Sequence, residues 1–288
     1  MLIDANSLIH RAFHALPPLT TPKGEPINAV YGLSSILLKI LREHNPDYMV
    51  AAFDRPEPTF RDVIFKEYKA HRPPTDDKLI PQLIQAHKTF EKFGIKVLEK
   101  AGFEADDIIG TLAERFKRSP ELAEGKIVIF SGDKDNLQLV DGDKVVVELL
   151  KTGVSKTVVY NKSFFLQTYG FAPEQLVDYK ALVGDPSDNI PGVKGIGPTG
   201  ATDLIKEYGS IEKIYDEIGL IPKKVLREKL EANKESAFLS KKLAMMKKDV
   251  PLGVNLEDLK TKSLDKEELK KYFEELGFKS LVERINAN

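Results

Sequence analysis

The stretch Gly102 to Phe116, GFEADDIIGTLAERF, places Glu104, Asp106 and Asp107 in the first turn of a helix. Apolar Ile108, Ile109, Leu112, Ala113 and Phe116 recur at helical spacing, so one face is buried and the helix start is held in place. Acidic first turns are common, because a carboxylate near a helix N-terminus gains roughly 0.3 to 1 kcal/mol from the macrodipole. Three carboxylates packed this closely also repel one another, and a cation among them removes that penalty. Any fold containing this turn has to answer for its charge.

The rest of the chain supplies more acids in similar positions. MLID, YMVAAFD and KIVIFSGDKD are apolar runs that end at Asp4, Asp54 and Asp133, with Asp135 just beyond. Strands of this kind alternate with amphipathic helices at about 29–43 and in LIQAHKTFEKFG, which implies a mostly parallel sheet covered on both faces. In such sheets ligands bind beyond the carboxyl ends of the strands, the edge to which these acids are delivered. KVVVELL and VSKTVVY read as a hairpin, strands stop by Pro173, and the remainder is helical, which puts a domain boundary near 170–178.

Asp185 and Asp188 in GDPSDN complete a set of nine: Asp4, Asp54, Glu104, Asp106, Asp107, Asp133, Asp135, Asp185 and Asp188. No lysine or arginine is interleaved closely enough to neutralise them, so the expectation is that an external cation does. Hard oxygen donors select Mg²⁺ or Mn²⁺, and so many of them suggest two ions acting on a phosphodiester. The absence of cysteine excludes disulfides, thiolate metal sites and a Cys nucleophile, and fits a reducing cytoplasm. The five histidines show no zinc spacing and no nucleophile partner. Lys plus Arg number 43 against 44 Asp plus Glu, so net charge says nothing of partners. No membrane-length apolar run or signal peptide is present.

Two further segments point to nucleic acid. PGVKGIGPTGATDLIKEYG contains Gly192, Lys194, Gly195, Gly197 and Gly200 between helices. Without a preceding strand this is no dinucleotide fingerprint; it reads as a glycine hairpin offering backbone N–H groups to a phosphate, or as an ordinary helix connection. In RPEPTFRDVIFKEYKAHRPP, cationic Arg55, Arg61, Lys66, Lys69 and Arg72 alternate with Phe60, Phe65 and Tyr68, a mixture suited to single-stranded nucleic acid and also to a solvated amphipathic helix.

Taken together, IDANSLIHRAF, VAAFD, YKAHRPP, GFEADDIIGT, SGDKD and GDPSDNIPGVKGIGPTGA resemble the 5′ nuclease of bacterial DNA polymerase I and its stand-alone relatives, the flap endonuclease family. The resemblance extends through FEELGFKSLVERI. It implies an α/β, PIN-like 5′ nuclease fold, with a mostly parallel twisted sheet, over 1–175, and a flexible helical arch at about 55–81. A helical, helix-hairpin-helix-like DNA-binding part would follow over 176–288, its motif at 185–209. By motif, Asp4, Asp54, Glu104 and Asp106 would surround a first ion, while Asp106, Asp133, Asp135 and Asp188 would hold or neighbour a second, with Asp107 and Asp185 assisting through water. Tyr68, Lys69 and Arg72 match arch positions that engage the scissile strand; Arg11, Arg61 and Lys66 are DNA-binding candidates, and Gly192, Lys194, Gly195, Gly197 and Gly200 would grip the duplex, aided by a potassium ion.

The implied activity is removal of nucleotides, flaps and RNA primers at DNA 5′ ends, by a monomer in the bacterial cytoplasm and nucleoid, with polymerase domains in cis or a polymerase in trans. Only Met1, Leu2 and Ile3 precede Asp4, and the polymerases continue where this sequence stops, so stand-alone nuclease and fragment both remain open. A junction-binding protein without turnover is the rival class, and a metal-dependent ribonuclease the rival enzyme.

Overall fold

The computed structural model describes residues 1–286. Its elements follow in chain order: β1 Leu2–Asp4, α1 Ala5–Ala15, α2 Asn28–His44, β2 Val50–Ala52, α3 Phe60–Ile64, α4 Ile80–Lys92, β3 Lys96–Leu98, α5 Ala105–Phe116 and β4 Ile127–Ser131. Then come β5 Val145–Thr152, β6 Lys156–Tyr160, α6 Lys162–Tyr169, α7 Leu176–Val183, α8 Pro198–Tyr208, α9 Ile211–Asp216, α10 Lys224–Ala232, α11 Lys234–Ala244, α12 Lys266–Leu276 and α13 Lys279–Asn286.

The strands form one sheet in the order β3-β2-β1-β4-β5-β6, parallel except for the β5–β6 hairpin. Parallel pairing of β1 with both β2 and β4 brings three strand ends side by side, so Asp4, Asp54 and Asp133 emerge at one edge. Side chains alternate across the sheet. Leu2, Val50, Ile129 and Val147 face a core made with α5 and α7 to α9, whereas Ile3, Ala51, Phe130 and Leu150 face a second core built from α1, α2, α4, α12 and α13.

Two expectations need revision. The 176–288 region is not one helical unit on the hairpin side, because Leu269, Tyr272, Phe273, Phe278, Leu281 and Ile285 of α12 and α13 pack back on the face opposite α5. Their apolar stripes need a partner, and the uncovered ends of α2 and α4 provide it; residues 287 and 288 of that range lie outside the described residues. The 55–81 segment does not stand as a helical arch. Before α4 begins at Ile80 it contains one short helix, α3, followed by turns, and it lies down on the acidic edge with Tyr68 only 5% exposed.

Helix α1, which carries Asp4 as its N-cap, is set by a close crossing with α2. A Cβ added at Gly32 would lie 2.5 Å from Ala12 Cβ and 2.9 Å from Leu16 Cδ1. Gly32→Ala is therefore expected to destabilise the fold by roughly 1–3 kcal/mol in urea unfolding, as overpacking does in a close-packed core. Wild-type stability in that variant would contradict the crossing.

Candidate active site

The acidic edge is assembled from strand ends and one helix start. Asp4 closes β1 and caps α1: its carboxylate accepts hydrogen bonds from Ser7 N at 3.1 Å and Ser131 Oγ at 2.6 Å. Asp54, two residues past β2, accepts from Ala105 N at 2.7 Å, which ties it to the positive end of α5. Asp106 accepts from Asn136 Nδ2 at 2.9 Å, and Asp133 from Asp135 N at 2.9 Å. These four line a cleft of about 290 Å³ with Glu104, Asn6, Ser7, His10, Lys69 and Arg72.

The cleft is electrostatically uncomfortable. Burial first, and then the neighbouring carboxylates, push Asp106 well above the usual carboxylate range. Asp4 is raised to about 6, by burial and by Asp133, against the hydrogen bonds from Ser131 and Ser7. Asp135 is raised to about 7 by burial, against the opposing charge of Lys180. Among the described residues no three acidic or histidine side chains converge, as they stand, on a point that could hold an ion. The donors nevertheless suit a hard divalent cation: they are charged oxygens on rigid elements, and among the described residues Asp4, Asp54, Asp106 and Asp133 accept hydrogen bonds only from neutral groups.

The remaining acids do have cationic partners, contrary to the expectation from sequence. Asp107, expected near a metal, is fully buried in a bidentate pair with Arg61 at 2.7 and 2.9 Å and also accepts from Lys247 N and Glu104 N. Arg61, expected on DNA, is 2% exposed and donates to the carbonyls of Leu243 and Met245 as well. The two form a buried knot joining α3, α5 and the end of α11. Lys180, which the sequence reading missed, bridges Asp135 and Asp185. Burial works against its charge, but the two carboxylates raise its pKa, and Lys180 in turn holds Asp185 below the usual range against that residue's own burial.

Tyr68, Lys69 and Arg72 do reach this edge. Tyr68 Oη donates to Glu104 and Asp188 at 3.2 Å each, Lys69 Nζ meets Glu104 at 2.5 Å, and Arg72 meets Asp188 at 2.5 Å. Burial, then Glu104 and Asp188, push the Tyr68 phenol up, so it stays a proton donor. Lys66 is exposed nearby. Arg11 is not among the residues that line the cleft; it donates to the carbonyls of Gly132, next to Asp133, and of Leu150.

The glycine hairpin separates into two roles. Gly192 is buried rather than presented to a ligand: its φ is +66°, and a Cβ there would lie 2.4 Å from Gly184 N. Its N–H donates to Ser240 and its carbonyl accepts from Ser236, locking the hairpin to α11. Lys194, Gly195 and Gly197 are exposed at the start of α8, and Gly200 sits in its first turn. The Gly195 carbonyl accepts from Lys229 Nζ at 3.0 Å. Among the described residues no helix is long and apolar enough to cross a membrane.

Two family models match the chain: 5'-3' exonuclease, N-terminal resolvase-like domain, over residues 1–170, and 5'-3' exonuclease, C-terminal SAM fold, over residues 171–267. DNA polymerase I of Caldicellulosiruptor bescii is 46% identical over 290 residues, covering 100% of this chain and 33% of that protein. The chain thus spans about a third of the polymerases it matches. The 5'-3' exonuclease of Aquifex aeolicus is 38% identical over 285 residues, covering 99% of this chain and 94% of that one. The solved flap endonuclease of bacteriophage T5, in a pseudo-enzyme-product complex with DNA and metal ions, shares the fold with a TM-score of 0.65 at 20% identity, over 100% of this chain and 99% of that one.

The raised pKa of Asp4 has a stability consequence. A carboxyl whose folded pKa lies above its unfolded value stabilises the protein at low pH and loses that contribution as pH rises through the folded value. In EDTA, Asp4→Asn should therefore gain on wild type by roughly 2 kcal/mol between pH 4 and pH 7 in urea unfolding. A difference that does not change with pH would contradict the burial of that charge.

Proposed function

The chain belongs to the 5'-3' exonuclease family, and on that premise we propose that it is a structure-specific 5′ nuclease, hydrolysing phosphodiester bonds at 5′ ends and 5′ flaps of DNA and at RNA primers. The observation that carries this reading is one cleft in which four carboxylates without cationic partners face Lys69 and Arg72, near an exposed glycine hairpin. Acids alone would repel a phosphodiester; acids and mobile cations together can hold divalent ions and the substrate's charge.

In this reading Asp4, Asp54, Asp106 and Asp133 hold Mg²⁺, or Mn²⁺ in its place, with Glu104, Asp135, Asp185 and Asp188 available to a second ion. Bound there, the ions supply the positive charge that polarises the scissile phosphate and acidifies an attacking water. The chain's own groups do the positioning. Ser131, Ser7 and Asn136 fix the carboxylate orientations from behind. Lys69 and Arg72 exchange their carboxylates for the scissile-strand phosphate, Arg72 offering a planar fork suited to it. Lys194 and the N–H groups at Gly195 and Gly197, before α8, meet the duplex backbone. A potassium ion at the hairpin belongs to the same reading, in competition with Lys229 for the Gly195 carbonyl. The setting we propose is a monomer in the bacterial cytoplasm, on nucleoid DNA, acting with a polymerase in cis or in trans.

Cleavage of a labelled 5′-flap DNA in Mg²⁺ tests the reading, with EDTA as control. Asp106→Ala should lose roughly a thousandfold in rate, the scale on which charge-stabilising groups act, while its affinity for the DNA in Ca²⁺ stays near that of wild type. Normal turnover in that variant, or binding without any cutting by wild type, would overturn it.

A further inference from the structure

Charge is compensated unevenly across the acidic edge. On one side, among the described residues, Asp4, Asp54, Asp106 and Asp133 accept hydrogen bonds only from hydroxyl, amide and backbone N–H groups. On the other, Glu104 is paired with Lys69 and, at 3.3 Å, with the buried Arg61, Asp188 with Arg72, and Asp135 and Asp185 with Lys180. Two of those four cations, Lys69 and Arg72, come from one short segment, 65–72, which carries no regular secondary structure, while Arg61 stays committed to Asp107.

That segment is docked by a small number of separable contacts. Tyr68 inserts beside Val177, Ile190, Leu243 and Ala244, a cluster apart from the two main cores. Lys69 N donates to the Asp188 carbonyl at 2.9 Å, Asn189 Nδ2 donates to the Glu67 carbonyl at 2.7 Å, and Arg72 Nε donates to the Ser187 carbonyl at 3.4 Å. Lys69 adopts φ +56°, a left-handed conformation disfavoured for a long side chain. Pro56 and Pro58 precede the segment and Pro73 and Pro74 follow it. The segment is thus held down by the Tyr68 ring in that small cluster and by polar contacts to one loop, 184–190, and to Glu104, and its release relieves backbone strain at Lys69.

We propose that residues 65–72 form a strap that fills half of the acidic edge with the chain's own cations and competes there with a divalent ion. The inference rests on reading the edge as a metal site. A first ion enters among Asp4, Asp54, Asp106 and Asp133 without displacing any ion pair. A second one, using Glu104 and Asp188, enters only as Lys69 and Arg72 leave. A substrate phosphate draws those same two side chains away, since a guanidinium or ammonium exchanges a carboxylate for a phosphate at little net loss of charge-assisted hydrogen bonding. Strand binding and loading of the second ion are thereby coupled through one segment, and by linkage each favours the other.

The test is calorimetric titration of the full chain with Mn²⁺, wild type against the Lys69→Gln/Arg72→Gln double variant. Both side chains are partly exposed, at 25% and 49%, so the variant is expected to fold. Wild type should show one tighter and one weaker site. In the variant the weaker site should tighten roughly tenfold while the tighter one stays unchanged, as removal of exposed competing ion pairs would do. A second readout is trypsin cleavage after Lys66 and Lys69 in wild type, which should accelerate at Mn²⁺ concentrations that fill the weaker site. Equal second-site affinity in the two proteins, or unchanged cleavage, overturns the strap and leaves the metal reading standing. No Mn²⁺ binding by wild type overturns the metal reading and the strap with it.

Discussion

The structure is organised around carboxylates that repel one another and are held together regardless. Parallel pairing of β1 between β2 and β4 fixes three strand ends within one edge, and α5 points its start at the same place. Burying Asp4 and Asp106 there costs stability, as the upward displacement of both carboxyls indicates. The two apolar cores on either face of the sheet offset that cost, because neither depends on the charge state of the edge. A fold that concentrates like charge on a rigid frame leaves the cation as the one missing component, which is the physical content of the functional reading.

Around this centre the chain distributes its positive charge in two ways. Arg61 and Lys180 are structural counter-ions: one is buried against Asp107, the other clamps Asp135 to Asp185. Removing Arg61 would strand the fully buried Asp107 carboxylate, a far larger penalty than losing a surface pair. Lys69 and Arg72 are different in kind, because they sit on a segment with few apolar anchors and meet their partners at the cleft mouth. The same residue types therefore perform opposite tasks, and burial separates them.

Much of this was legible in the sequence. Apolar runs ending in aspartate gave the strands and their common edge, and the periodic face of GFEADDIIGTLAERF gave α5 with its acids in place. The glycines marked the hairpin, whereas the turns of 55–81 were not foreseen, since a helical arch was expected there. The misses have one physical cause, which is partnership over long sequence distance. Arg61 and Asp107 are 46 positions apart, Lys180 and Asp135 are 45 apart, and no local pattern announces either pair. Gly192 reads like its neighbours, yet its close approach to Gly184 makes it a packing residue. The C-terminal third read as helical, but the partner of α12 and α13 on the far face of the sheet was not legible. Asn6, Ser7, His10 and Asn136 at the cleft did carry a signal, since each lies within a few residues of a strand-terminal aspartate.

The central claim is that Asp4, Asp54, Asp106 and Asp133 form a charge nest the fold leaves unmatched. Thermal unfolding at pH 8 as a function of Mn²⁺, for wild type and Asp106→Asn, tests it most directly. A ligand that binds only the native state at a hundred times its Kd adds about 2.7 kcal/mol. The account predicts a rise in Tm with Mn²⁺ for wild type, and for Asp106→Asn a higher starting Tm with little further rise. A wild-type Tm indifferent to Mn²⁺, or an equal rise in the variant, would contradict it.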